Sequence, residues 1–86
     1  MKLVVLTENL DREKKLSADQ LTECKKVAVM LQRAAVKVGD LFIIKDIHDE
    51  KFHLLQTVVT TSYDFWKSHE QMFNRLPYDA EIKEDV

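Results

Sequence analysis

The stretch Phe52-His53-Leu54-Leu55-Gln56-Thr57-Val58-Val59-Thr60-Thr61 decides what this chain can fold into. Its last five residues are all β-branched, and branching at Cβ suits the pleated surface of a sheet better than a helix. A competing pattern runs through the same residues. Phe52, Leu55, Val59, Ser62, Trp66, His69, Phe73 and Leu76 recur at alternating spacings of three and four, the period of one long helix. The β-branched run favours a strand over 52–61. The alternative is a β-α-β unit followed by one long C-terminal helix.

Upstream, Leu41-Phe42-Ile43-Ile44-Lys45-Asp46-Ile47 reads as a strand, and His48-Asp49-Glu50-Lys51 as the turn of a hairpin joining it to 52–61. A helix is expected over 18–38. Ser17-Ala18-Asp19-Gln20 fits a capping box at its start. Gly39, the one glycine, stands where a left-handed residue ends a helix. Leu21, Cys24, Val27, Ala28, Leu31 and Ala35 share its apolar side. Residues 2–7 read as a first strand. Leu3, Val4, Val5 and Leu6 are apolar on both faces, the mark of a strand covered on both sides. A charged connector follows over 8–16. Downstream, Phe65, Trp66, His69, Met72, Phe73 and Leu76 make an apolar stripe on a helix over 62–76, which Pro77 stops.

The expected fold is therefore α+β, a small two-layer β-α-β-β-α domain with two helices on a three-stranded sheet. Residues 1–77 form the single domain, and 78–86 an acidic, flexible tail. If the second and third strands pair as a hairpin, the first lies on an edge whichever neighbour it takes, and it runs parallel to the second if those two are neighbours. It carries no charge after Lys2, and such an edge invites another chain. A homo-oligomer through strand 1 or the open sheet face is the expectation. Size points the same way, since 86 residues leave a thin stability margin.

Hydrophobic residues make up 45% and charged residues 33%, which describes a globular chain and not a disordered one. No apolar run approaches a membrane span, and a single cysteine, Cys24, cannot close an intrachain disulfide. The N-terminal apolar run turns polar at Thr7 with no cleavage-like site, so it reads as structure. A cytoplasmic, reducing location is expected. Charge is divided unevenly. Residues 1–39 hold eight Lys/Arg against five Asp/Glu, and 40–86 hold five against ten, giving +3 and −5 within a net −2.

Chemistry-bearing motifs are sparse. His48 and His53, five apart, match no helical ligand spacing, so no metal is expected. Cys24 points to the apolar side of its helix, where a thiolate is disfavoured. There is no G-x-G-x-x-G, P-loop or H-E-x-x-H pattern, and neither an enzyme nor a cofactor is expected. Partner-binding candidates are Val29 and Val36, two apolar residues on the polar face of the helix, together with Tyr63 and Trp66 from an aromatic cluster. Tyr63 falls off the stripe and is the one expected at the surface. Lys25, Lys26, Arg33 and Lys37 on that polar face could instead meet nucleic-acid phosphates or another anion. Glu23 can neutralise Lys26, and a pI near 5.9 is low for a nucleic-acid domain. Glu84-Asp85-Val86 resembles a ligand for a carboxylate-capturing groove.

The function expected from these residues is a non-enzymatic, oligomeric protein-interaction module. It would bind, and inhibit or adapt, a cytosolic protein, as a viral or mobile-element accessory factor does. The alternatives are a nucleic-acid-binding or regulatory module using the basic helix face, and a small-ligand binder at a subunit interface with Lys25, Arg33 or His69 on an anion.

Overall fold

The computed structural model describes residues 1–84. Asp85 and Val86 of the proposed carboxylate ligand lie outside the described residues. In chain order the elements are β1 (Leu3–Glu8), α1 (Leu10–Glu13), α2 (Ala18–Val38), β2 (Phe42–His48), β3 (Leu54–Ser62), α3 (Tyr63–Ser68), α4 (Glu70–Phe73) and β4 (Tyr78–Lys83). The strands form one antiparallel sheet in the order β2-β3-β1-β4. This is the split β-α-β connectivity of ferredoxin-like folds.

The α+β class holds, and the ambiguous stretch is a strand, β3. Its register shows why. Opposite Val4 stands Thr61, and opposite Leu6 stands Val59, so the β-branched run lines the core face beside β1. Thr61 is fully buried, and its Oγ1 donates to the Leu41 carbonyl at 2.7 Å, which satisfies the hydroxyl. Val27, Leu31 and Ala35 of α2, with Phe65, Phe73 and Leu76, close the core from the other side. Phe65 and Phe73 meet edge to face, with centroids 6.0 Å apart.

Helix α2 has the expected bounds because both ends are encoded locally. The Ser17 hydroxyl accepts from the Gln20 amide at 3.2 Å, and Gln20 Oε1 accepts from the Ser17 amide at 2.8 Å. Gly39 adopts φ 75°, and the Gly39 and Asp40 amides donate back to Val36 and Ala35.

Four expectations are corrected. Residues 78–83 are not a frayed tail but strand β4, so the sheet has four strands and the ordered domain runs past Pro77. Strand β1 is consequently not an edge: β3 pairs with one side of it and β4 with the other. The partner that its apolar edge invites is the chain's own C-terminal segment. β1 and β2 do run parallel, but β3 lies between them. Third, β1 is not covered on both faces. Helices cover Val4 and Leu6, whereas Val5 and Thr7 stand half-buried on an open face. Fourth, the helix expected over 62–76 breaks at His69 (φ −120°) into α3 and α4. Ser68 Oγ donates to the Asp64 and Phe65 carbonyls, and His69 Nδ1 lies 3.1 Å from the Phe65 carbonyl. These side-chain contacts add to the His69 amide's own bonds to the Phe65 and Trp66 carbonyls, and the turn closes at His69. The charged connector, finally, contains the short α1. Asn9 caps it and also donates through Nδ2 to Asp79, while Arg12 donates to the Tyr78 and Leu76 carbonyls, which ties the connector to the start of β4.

Candidate interaction surface

Strand β2 sits at one edge of the sheet, and the helices cover it only at its start, where Phe42 packs on Phe65 and Phe73. From Ile43 to His48 every residue is exposed, although three are isoleucines. The hairpin it forms with β3 continues the pattern: Ile43 is 53% exposed, Ile44 43%, Phe52 85%, Leu54 57% and Leu55 49%. Contiguous apolar exposure on this scale is unusual for a water-facing element.

The hairpin tip shows how local sequence aims these side chains. The Asp49 amide donates to the His53 carbonyl, and the Phe52 amide to the Asp49 carbonyl, each at 3.0 Å. Residues 50–52 are thus a three-residue loop whose last position is left-handed. That position usually holds glycine. Here it holds Phe52 at φ 62°, so strain is accepted to present an aromatic ring to solvent. Asp49 locks the loop: its carboxylate accepts from the Lys51 and His53 amides at 2.8 and 2.9 Å. The His53 amide bond is the main cause holding the Asp49 pKa below its ordinary value. Behind the tip, a register shift at Ile47/His48 leaves Leu55 without a partner in the ladder, so Leu54 and Leu55 both face water.

A groove runs between this hairpin and α2. At its apolar end a cleft of about 100 Å³ is bounded by Ala28, Val29, Ile44, Val59 and Tyr78. At the other end Leu54 and Leu55 face Leu21 across Glu8 and Glu13. The two carboxylates share the floor with Cys24 and Tyr78. Burial raises the Glu8 pKa, and the neighbouring Glu13 charge adds to it, with Asp46 a lesser cause. Glu13 Oε2 is buried, with no hydrogen-bond partner among the described residues unless Glu8 is protonated and donates to Glu13. Tyr78 is pushed up to about 12, first by burial and then by the same two glutamates. The groove is therefore apolar with a negative floor, and Lys14 and Lys25 also line it. Among the described residues no cation pairs with Glu8, Glu13 or Asp46.

The residues singled out from sequence fall into three groups. Val29 and Val36 are exposed on α2, and Val29 also forms one bank of the cleft. Lys25, Lys26, Arg33 and Lys37 are exposed on the same helix and, among the described residues, make no ion pair. Glu23, expected beside Lys26, pairs with Arg75 at 3.1 Å. Tyr63 and Trp66 are half-buried and packed against the core, with ring centroids 5.7 Å apart and Lys2 Nζ 3.9 Å above the Tyr63 ring. His69 stacks on Phe65 at 4.3 Å, and Cys24 Sγ donates to the Arg75 carbonyl at 3.4 Å. The structure thus brings Val29 to the groove and leaves Tyr63 and Trp66 with the core.

Sequence reasoning missed Ile43, Ile44, Phe52, Leu54 and Leu55, because apolar residues in a strand pattern read as core. The one available signal was Phe52 directly after a polar turn, where glycine is the usual residue. Among the described residues, no helix is long and apolar enough to cross a membrane, and no group of metal-ligating side chains gathers. No family model matches the chain, and neither a curated protein nor a solved structure shows detectable similarity to it.

Proposed function

We propose that this chain is a non-enzymatic protein-interaction module that binds through its β2–β3 hairpin and the groove beside it. One observation carries the reading: beyond Phe42, Val59 and Thr61, which the helices cover, the hairpin leaves large apolar side chains exposed, Ile43 and Ile47 on the outer face, Ile44 on the helical face and Phe52, Leu54 and Leu55 at the tip. An apolar surface of that kind costs free energy in water, roughly 25 cal/mol per Å², until another surface covers it. The strained, exposed Phe52 supports the reading, because a residue held at positive φ with no packing role fits an anchor for a partner's pocket. The outer sheet face suits protein better than nucleic acid. By the strand registers it presents Val5, Thr7, Ile43, Lys45, Val58 and Thr60, with no aromatic ring on which a base could stack.

The test is a pull-down of tagged chain from native lysate, with and without nuclease, beside a Leu54→Asp/Leu55→Asp variant shown by circular dichroism to be folded. The expected result is a stoichiometric protein that survives nuclease and is lost with the variant. Recovery that disappears with nuclease, or a protein that the variant retains, would overturn the hairpin reading.

A further inference from the structure

Two surfaces on the helical side of the molecule lack counterparts within it. One is the groove, apolar along Ile44, Leu54 and Leu55 and negative at Glu8, Glu13 and Asp46. Asp46 follows Ile44 by two residues, so both point to the helical face of β2, and its Oδ1 accepts from Thr57 Oγ1 at 3.0 Å. The other is the outward face of α2. At 100° per residue, Val29, Val36, Lys26 and Arg33 project together from it, exposed and, among the described residues, free of acidic partners. One surface is apolar and basic; the other is apolar with three carboxylates, and among the described residues neither Lys14 nor Lys25, which also line it, pairs with any of them. They lie side by side across the cleft, with Val29 on its bank.

We propose that the occupant of the groove is a second copy of this chain, in a two-fold dimer that lays α2 of each copy over the β2–β3 hairpin of the other. The proposal rests on the hairpin being an interaction surface and names what covers it. Adjacent patches of complementary character are what an isologous interface requires, since each patch meets the other's counterpart under the two-fold. In the dimer Val29 and Val36 of one copy cover Ile44, Leu54 and Leu55 of its partner. Lys26 and Arg33 approach the partner's Asp46, Glu8 and Glu13. That contact supplies charge to a floor where burial and the neighbouring Glu13 and Asp46 charges raise the Glu8 pKa, and a donor to the Glu13 carboxylate. A stable interface takes about 800 Å² from each partner. Here α2, about 30 Å long, makes its contact twice, once in each direction, which is how a chain this small reaches that size. β2 beyond Phe42 also gains the helical cover it largely lacks in the single chain.

The test uses charge exchange. Variant one carries Lys26→Glu and Arg33→Glu, and variant two carries Glu13→Lys and Asp46→Lys. All four positions are at least partly exposed, and circular dichroism checks each fold. Light scattering of the wild type at tens of micromolar should give twice 10.1 kDa. Each variant alone places like charges in both contacts and should be monomeric, with association weakened tenfold or more. Their equimolar mixture restores opposite charges in both contacts and should return to the dimer mass. If variant two does not fold, Asp46→Lys alone replaces it. A monomeric wild type, variants that still dimerise, or a mixture that stays monomeric would each overturn the pairing. The two readings fail separately. A monomeric wild type that still captures a protein through Leu54 and Leu55 leaves the interaction function standing and removes the second copy from the groove.

Discussion

At the scale of single residues, Phe52 and Tyr78 are held in states that cost free energy, for different reasons. Phe52 occupies a left-handed loop position at φ 62° and is 85% exposed, so its ring contributes nothing to the core that would offset the strain. Phe52→Gly should raise stability by about 1 kcal/mol in urea unfolding while weakening partner capture. A variant that loses stability would mean the ring packs in the folded monomer. Tyr78 is half-buried beside Glu8 and Glu13, with its pKa pushed up to about 12 from an ordinary 10.0. The unfolded phenol ionises first, so stability is full below pH 10 and falls as pH rises towards 12. Tyr78→Phe should remove that slope in unfolding curves measured across the window, and an unchanged slope would place its cause elsewhere. Neither residue's role was legible from sequence alone. Phe52 carries only the weak hint of its place after a turn, and Tyr78 sits in an acidic stretch with the composition of a tail, because desolvation depends on what folds over a side chain.

At the scale of elements, legibility follows how local the determinants are. Helix α2 could be read to the residue because its cap, its left-handed stop and its apolar face are all written within 23 consecutive residues, Ser17 to Gly39. Ser17→Ala removes one half of the capping box and should cost about 1 kcal/mol in thermal or urea unfolding. No change would mean that tertiary packing alone holds the helix start. The hairpin was legible as strand-turn-strand from its β-branched run, but its exposure was not, since apolar alternation looks the same under a helix and under water. The break at His69 escaped because the 3.6-residue period does not register the φ of −120° there or the local bonds of Ser68 and His69 to the Asp64 and Phe65 carbonyls. β4 left a faint signal of its own: Tyr78, Ala80 and Ile82 alternate with Asp79, Glu81 and Lys83.

At the scale of the whole molecule, β4 converts an exposed apolar strand into an interior one. A chain ending at Pro77 should lower the melting temperature by 10 °C or more, taking about 4–8 °C per kcal/mol for a domain of this size. It should also associate through the freed edge of β1, visible in light scattering. An unchanged melting temperature would show that β1 does not need its partner. The sequence by itself determined the α+β class, the bounds of α2 and the strand character of 54–61, because caps, periods and β-branching act between near neighbours in the chain. The tertiary structure alone decided which strands are interior, which apolar residues face water, and where charge goes uncompensated. Each of those depends on pairing between segments as far apart as Leu3 and Lys83, and on which face of the sheet the helices happen to cover.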